Sequence, residues 1–356
     1  MNRLASYIVF GVLKGTALVA FALVAVASVI ELVGQLDDVG LASYGFPEAL
    51  LYVALRIPRK IFDVLPAAAL LGALLSLGNM AVHRELVVMR TSGISQYRLL
   101  AAVGSAGVIL LMVMLLLGES LAPSLGAYAR SMRADALLEE VDTASASSTW
   151  FRDGERIFNL QRPRSGEEFD LAVRVFELEG DRGLRQIARA GSVRTVDSGI
   201  WELGDYAETR FGSGGTTVRR EQTIRQDYGL STQLLNLSEV REDLLDTREL
   251  DRYIAYLRSN GLDASRYLAA YWGRIANGVS VVWMAILALP FVLGGLRSAG
   301  TGARMVVGLV IGLGYYVLGE LSARTGEVFA LDPVVAAWAP SAALLGLTLV
   351  AIVRLR

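Results

Sequence analysis

Hydrophobic residues follow two patterns along this chain. At both ends they form long blocks; in the middle they alternate with polar residues. A helix that crosses a bilayer needs about 20 mostly apolar residues. Lys14 and Glu31 enclose an uncharged run whose apolar character extends to Leu36, and 64–82, 99–118, 275–296 and 333–353 are uncharged throughout. The run 305–319 reaches spanning length by continuing past Glu320 to Ala323. The pattern therefore predicts six spans, three on each side of the polar middle. The first is too long for a cleaved signal peptide, and no small-residue cleavage site follows it. Ala68, Gly72 and Ser76 form one row of small residues and Gly308 and Gly312 another, a spacing that lets helices approach closely within the chain. Pro66, Pro290 and Pro340 fall inside spans, where proline kinks a helix.

The middle reads as strands. Asp153-Gly154 separates two apolar-rich runs, a hairpin signal because glycine accepts a positive φ. Leu171, Val173 and Val175 alternate with Ala172, Arg174 and Phe176, and further strands are predicted at 200–209 and 216–225. Asp181 to Gly183 and Asp197 to Gly199 read as turns, and Gly212 to Gly215 as a loop. Short strands at this spacing suggest a sandwich or jellyroll. Near its end the period changes: Leu250, Tyr253, Ile254 and Leu257 share one helix face, with Thr247 as cap and Gly261 as stop. Asp263 is placed to cap the helix that enters the fourth span. The resulting domains are 1–123 (three spans), 124–270 (β-jellyroll with a C-terminal helix) and 271–356 (three spans).

Composition sharpens this division. The chain is 53% hydrophobic and 19% charged, with a mean hydropathy of +0.45. Of its charged residues, 20 basic and 25 acidic ones lie between Arg130 and Arg266. There is no cysteine, hence no disulfide, thiolate nucleophile or Cys-ligated metal. The single histidine, His83, cannot build a multi-His zinc site. Neither lysine, Lys14 or Lys60, follows a glycine, so the Gly-Lys pair of a P-loop is absent. A net charge of −1 gives no sign of nucleic-acid binding.

Orientation is read from basic residues in short loops. With the N-terminus cytoplasmic, the inner segments hold Arg3, Lys14, Arg84, Arg90, Arg98, Arg297, Arg304, Arg354 and Arg356. The outer ones hold Arg56, Arg59, Lys60, Arg274 and Arg324 together with many acids. This favours both termini inside and 124–270 outside. The loop between the second and third spans is more than a turn. His83 to Met89 suits two helical turns, with Glu85 and Arg90 placed as the helix dipole favours and Gly93 at the C′ position. Leu86, Val87, Val88 and Met89 give it an apolar surface. The pattern allows either a helix lying on lipid headgroups or a coupling helix docked on a cytoplasmic partner.

Two segments carry a resemblance. Ala67-Ala-Ala-Leu-Leu-Gly-Ala-Leu-Leu-Ser-Leu-Gly78, followed by Arg84-Glu-Leu-Val-Val-Met-Arg-Thr-Ser-Gly93, resembles the LptF/LptG permeases of the lipopolysaccharide exporter. Glu85-Leu-Val-Val-Met with Ser92-Gly93 is closer to the LptG branch than to the LptF branch. Arg266-Tyr267 with Trp272, and Gly295-Leu-Arg-Ser298, match as well, and the layout of three spans, a periplasmic jellyroll and three spans covers essentially the whole chain. The resemblance implies an inner-membrane ABC-transporter permease paired with its sister LptF around an outward-open cavity. It also implies an LptB ATPase dimer below, the single-span protein LptC alongside and the periplasmic bridge LptA beyond. ATP and Mg²⁺ would be bound by the ATPase, with no cofactor in this chain.

Carried onto this sequence, the resemblance makes Glu85 the main contact with the ATPase, backed by Leu86, Met89 and Arg90 and flanked by His83 and Arg84. It places Arg59, Arg130 and Arg133 near the lipid's phosphates, with Arg56 and Lys60 secondary; guanidinium makes bidentate, charge-assisted bonds to phosphate. The simpler reading of these cations is interfacial anchoring. The first and fifth spans would form lateral gates, with Val26, Val29, Val33, Leu65, Tyr315 and Leu318 against acyl chains; any of these also suits plain helix packing. Glu31 departs from relatives that carry a lysine near this point; pairing with a basic residue across the cavity would spare it the cost of a lone charge, roughly 2.5 kcal/mol or more. Two other functions compete: the permease of another envelope-lipid or lipoprotein exporter, and a membrane-anchored envelope enzyme. The latter would need a catalytic constellation that the acids of the middle, set among basic neighbours, do not suggest.

Overall fold

The six apolar blocks become six long helices in the computed structural model, which describes residues 3–138, 148–161, 172–179, 183–197, 199–212, 215–230, 245–294, 300–328 and 331–354. Of the expected features, Gly295 to Ser298, Leu171, and parts of the turns at 181–183, 197–199 and 212–215 lie outside these residues. The chain forms two compact units. One comprises Met1–Leu137, Glu242–Ile254 and Asp263–Arg356; the other comprises Leu138–Arg241 and Ala255–Leu262.

In the first unit, α1 (Arg3–Gln35) leads through a short 3₁₀ turn to α2 (Phe46–Leu55) and then α3 (Ile57–Val82). Pro47 and Pro58 occupy first-turn positions, where a missing N–H costs nothing. Arg84 then takes a left-handed conformation, φ 61°, which stops α3 and restarts the chain as α4 (Glu85–Thr91). The loop helix thus begins at Glu85 rather than at His83, which closes α3 instead. Gly93, at φ 86°, takes the expected place just beyond its end.

The third span is the longest helical run. α5 (Gln96–Leu116) passes through a π-helical stretch, Leu117–Leu121, into α6 (Ala122–Leu138). Glu119 in that stretch accepts hydrogen bonds from the backbone N–H (3.0 Å) and hydroxyl of Thr247 at the start of α7 (Thr247–Ser259). The cap of α7 is Asp246, whose carboxylate accepts from the Glu249 N–H while Glu249 bonds back to Asp246 N. Thr247 is one residue inside. Asp263 accepts from Ser265 N at the start of α8 (Ser265–Leu293), and its bonds to Ser265 hold its carboxyl below the usual range. Then follow α9 (Thr301–Val328), which continues past Glu320, and α10 (Pro333–Val353).

The core of this unit centres on α3 and α8. Leu70, Leu74, Leu77, Met284, Leu287 and Leu289 are essentially inaccessible. Both small-residue rows are packing seams. Ser76 faces Gly11, where a Cβ would come 2.7 Å from its hydroxyl; Gly72 lies against Gly15 and Thr16 so closely that a Cβ would overlap their backbone. On α9, a Cβ at Gly308 would meet Leu74 at 2.6 Å, and one at Gly312 would meet Ala67 at 3.0 Å. Pro66, Pro290 and Pro340 lie inside continuous helices.

The second unit contains one antiparallel seven-stranded sheet: β1 (Ser148–Asp153), β2 (Arg156–Gln161), β3 (Ala172–Glu179), β4 (Gly183–Ala190), β5 (Ser192–Asp197), β6 (Gly199–Gly212) and β7 (Gly215–Leu230). The first four pair in order, and β4 and β5 lie end to end along one edge of β6 while β7 covers the other. The β1–β2 hairpin turns at Gly154 (φ 58°) and Glu155, one residue later than Asp153-Gly154 suggested. Phe158, Trp201 and Tyr228 form a mutually edge-on trio with centroids 5.2–5.7 Å apart. Burial pushes the Tyr228 hydroxyl up to about 12 against the opposing pull of Arg156.

A leucine at Gly72 must displace backbone, and overpacking of this kind costs typically 1–3 kcal/mol. Gly72→Leu should lower the unfolding temperature of the detergent-solubilised chain by several degrees or prevent folding. Gly314→Ala, with nothing within 4 Å, should leave it unchanged or slightly raised.

Candidate functional site

Three groups of residues in the first unit carry chemistry that packing alone does not require. The first is α4. A seven-residue helix has little stability of its own, and this one is held by burying Leu86 (1% exposed) and Met89 (8%) in the unit's main core. Those two were expected to back Glu85 against a partner. They face the chain's own interior because they lie three apart on one helix face, and Val87 and Val88 are the exposed apolar residues instead. Glu85 is half-buried, and its Oε2 accepts a hydrogen bond of 2.9 Å from the hydroxyl of Tyr7 on α1. Arg90 is exposed at the last turn. Beside α4 lies a cleft of about 310 Å³ lined by Ala81, Leu86, Val87, Arg90, Thr91, Val292 and Leu293. His83 Nδ1 lies 2.9 Å from the Asn79 carbonyl, and Arg84 is exposed. At the same end Arg304, 2% exposed, donates to the Gly78 carbonyl at 2.8 Å and so ties the start of α9 to α3.

The second group lies at the opposite end. Glu31 of α1 accepts from Arg56 and from Lys60 (2.6 Å), and Lys60 also donates to Ser28 at 3.0 Å. Arg59 pairs with Asp63 at 3.3 Å, one turn along α3, and lies over the Phe62 ring. Arg133 of α6 bonds to Asp38, and the guanidinium carbons of Arg56 and Arg133 both sit within 6 Å of the Tyr52 ring centre. Arg130, on α6, is half-buried. Arg56, Arg59, Lys60 and Arg133, expected to bind phosphate, therefore meet carboxylates of their own chain. Glu31, half-buried, thereby meets two basic partners.

The third group is the exposed apolar face of α1 and α9. Val26, Val29 and Val33 are 60, 62 and 59% exposed, and Leu318 is 51% exposed. Leu65 is 3% exposed inside the core. Tyr315 is half-buried, and its hydroxyl lies 2.8 Å from Ser280 Oγ and 3.1 Å from Asn277 Oδ1, with Ser341 Oγ 2.7 Å from Ser280 Oγ. It is thus built into a polar seam of α8, α9 and α10, as a hydroxyl surrounded by apolar helices must be.

The sequence reading overlooked Tyr7, Ser28, Asp38, Tyr52 and Asp63. Each is an ordinary residue in sequence, and only the fold brings it to its partner. The one available signal was Asp63, four residues after Arg59. Among the described residues no cluster of three or more His, Asp or Glu side chains could hold a metal ion.

Removing the Glu31 carboxylate leaves Arg56 and Lys60 facing each other without it. Glu31→Gln should destabilise the solubilised chain by about 1–3 kcal/mol, because bonds to charged groups at partly buried sites are worth about this much. Adding Lys60→Met should recover part of the loss in a thermal-unfolding series; a fully additive double variant would show that the two groups do not interact.

The family described as lipopolysaccharide export system permease LptF/LptG matches residues 6–354. The chain is 30% identical over 325 residues to the lipopolysaccharide export system permease protein LptG of Escherichia coli strain K12, covering 90% of each chain. It is 29% identical over 342 residues to the protein of the same name from Haemophilus influenzae, covering 96% of this chain and 95% of the other.

Proposed function

Because the chain belongs to the LptF/LptG family of lipopolysaccharide export system permeases, we propose that it is the LptG-type half of an inner-membrane exporter driven by a separate ATPase. As a permease it is a transporter subunit and not an enzyme. Its missing P-loop fits an energy source on another chain. In this reading the sister permease LptF pairs with it around a lipid cavity. An LptB dimer binds ATP and Mg²⁺ on the cytoplasmic side, LptC joins the complex, and LptA receives the lipid beyond the sheet-bearing unit, which faces the periplasm.

The observation that carries the coupling role is α4: a helix too short to stand alone, anchored by Leu86 and Met89, presenting Val87, Val88 and Arg90 with Glu85 at its edge. Val87 and Val88 supply an apolar docking surface, and Glu85 and Arg90 supply charges that fix its register. At the other end, lipid phosphate would exchange with Glu31, Asp63 and Asp38 for Arg56, Lys60, Arg59 and Arg133. A phosphate carries more charge than a carboxylate and as many acceptor oxygens or more, so the exchange keeps every cation bonded. Val26, Val29 and Val33 of α1 and Leu318 of α9 would meet acyl chains.

Charge reversal at Glu85 is the direct test. In the reconstituted complex, Glu85→Arg should cut lipopolysaccharide release by about tenfold or more, the loss expected when one partner of an interfacial charge pair is reversed. Full assembly with release at the wild-type rate would remove the coupling role from α4.

A further inference from the structure

Tyr7 and Glu85 are 78 residues apart in sequence, yet a 2.9 Å hydrogen bond joins them, from the hydroxyl of α1 to the carboxylate of α4. Tyr7 is 52% exposed, and the bond ties its hydroxyl to α4. The α4 backbone is already located by Leu86 and Met89 and by the left-handed turn at Arg84. What remains free is the Glu85 side chain, which has several rotatable bonds and would sample many rotamers on a partly exposed helix. The Tyr7 hydroxyl selects one of them.

α1 gives this bond reach. It is a single helix from Arg3 to Gln35. Glu31, tied to Arg56 and Lys60, lies 24 residues beyond Tyr7, about 36 Å along the axis at 1.5 Å per residue. The helix is seamed to α3 at Gly11 and Gly15 and leaves Val26, Val29 and Val33 uncovered. It is therefore strapped at both ends, to the basic group at one and to Glu85 at the other.

We propose that Tyr7 is a positioning residue for Glu85: its hydroxyl holds the carboxylate in the orientation presented to the ATPase, and makes α1 the element that sets this orientation. The proposal rests on the reading of Glu85 as the coupling carboxylate.

The test is a double-mutant cycle in the complete complex reconstituted in proteoliposomes, reading lipopolysaccharide released per ATP hydrolysed for wild type, Tyr7→Phe, Glu85→Ala and the double variant. Tyr7→Phe keeps the ring and removes only the donor, and should lower the ratio about threefold to tenfold, the range of a typical intramolecular hydrogen bond at a half-exposed site. In the Glu85→Ala background the same change should do nothing further. An unchanged ratio for Tyr7→Phe beside an uncoupled Glu85→Ala overturns the proposal and leaves the coupling reading intact. A Tyr7→Phe loss that persists without Glu85 also overturns it, because the hydroxyl would then act elsewhere. Coupled release that survives Glu85→Ala overturns the coupling reading and the Tyr7 proposal with it.

Discussion

At Gly15 and Gly72 the backbones of α1 and α3 approach so closely that neither position has room for a Cβ. Between helices in lipid there is little hydrophobic gain from association, since a lipid tail is as apolar as leucine. Close packing and internally satisfied polar groups must do the work instead. The seam at Gly11, Gly15, Ser76 and Gly72 therefore decides where α1 stands. Everything assigned to α1 depends on it: the uncovered valines, the Glu31 ion pairs and the Tyr7 bond to Glu85. A second seam, Gly308 and Gly312 of α9 against α3, sets the other lightly covered helix. The two most exposed spans are thus both referred to α3, the most deeply buried one.

The charges follow from the same constraint. A lone charge near the hydrocarbon is costly, and these ion pairs compensate the charges within the chain. Glu31 holds two cations, Asp38 and Asp63 hold one each, and Arg304 ends on a backbone carbonyl. Compensation of this kind stabilises the resting chain and also sets the chemistry open to it: a ligand that takes these cations must bring its own anionic oxygens. A phosphate-bearing lipid does so, and a neutral one does not.

Much of this was legible in the sequence. Span positions follow from uncharged block length, and α7 and β3 follow from period-3.6 and period-2 burial: Leu250, Ile254 and Leu257 are buried along one face of α7, and Val173 and Val175 along one face of β3. The small-residue rows were visible as spacing, and the structure supplied their partners. Three kinds of information were not legible. Backbone breaks such as the left-handed Arg84 moved the start of α4 by two residues, because nothing in arginine signals a positive φ. Which face of a short apolar helix turns inward was open, and Leu86 and Met89 proved to belong to the core while Val87 and Val88 do not. Long-range polar partners were invisible: Asp38 for Arg133, Tyr7 for Glu85 and Glu119 for Thr247 each cross more than 70 residues.

That α1 presents a lipid-facing surface, held at one end by ion pairs and at the other by Glu85, can be tested most directly by photo-crosslinking. A photoreactive residue placed at Val29 in cells should crosslink to lipopolysaccharide, with a yield that falls when the ATPase is active and lipid is being cleared. The same probe at Leu65, inside the core, should give none. A Val29 probe that captures only protein, or whose lipid adduct is independent of ATP hydrolysis, would contradict the placement of α1 on the export path.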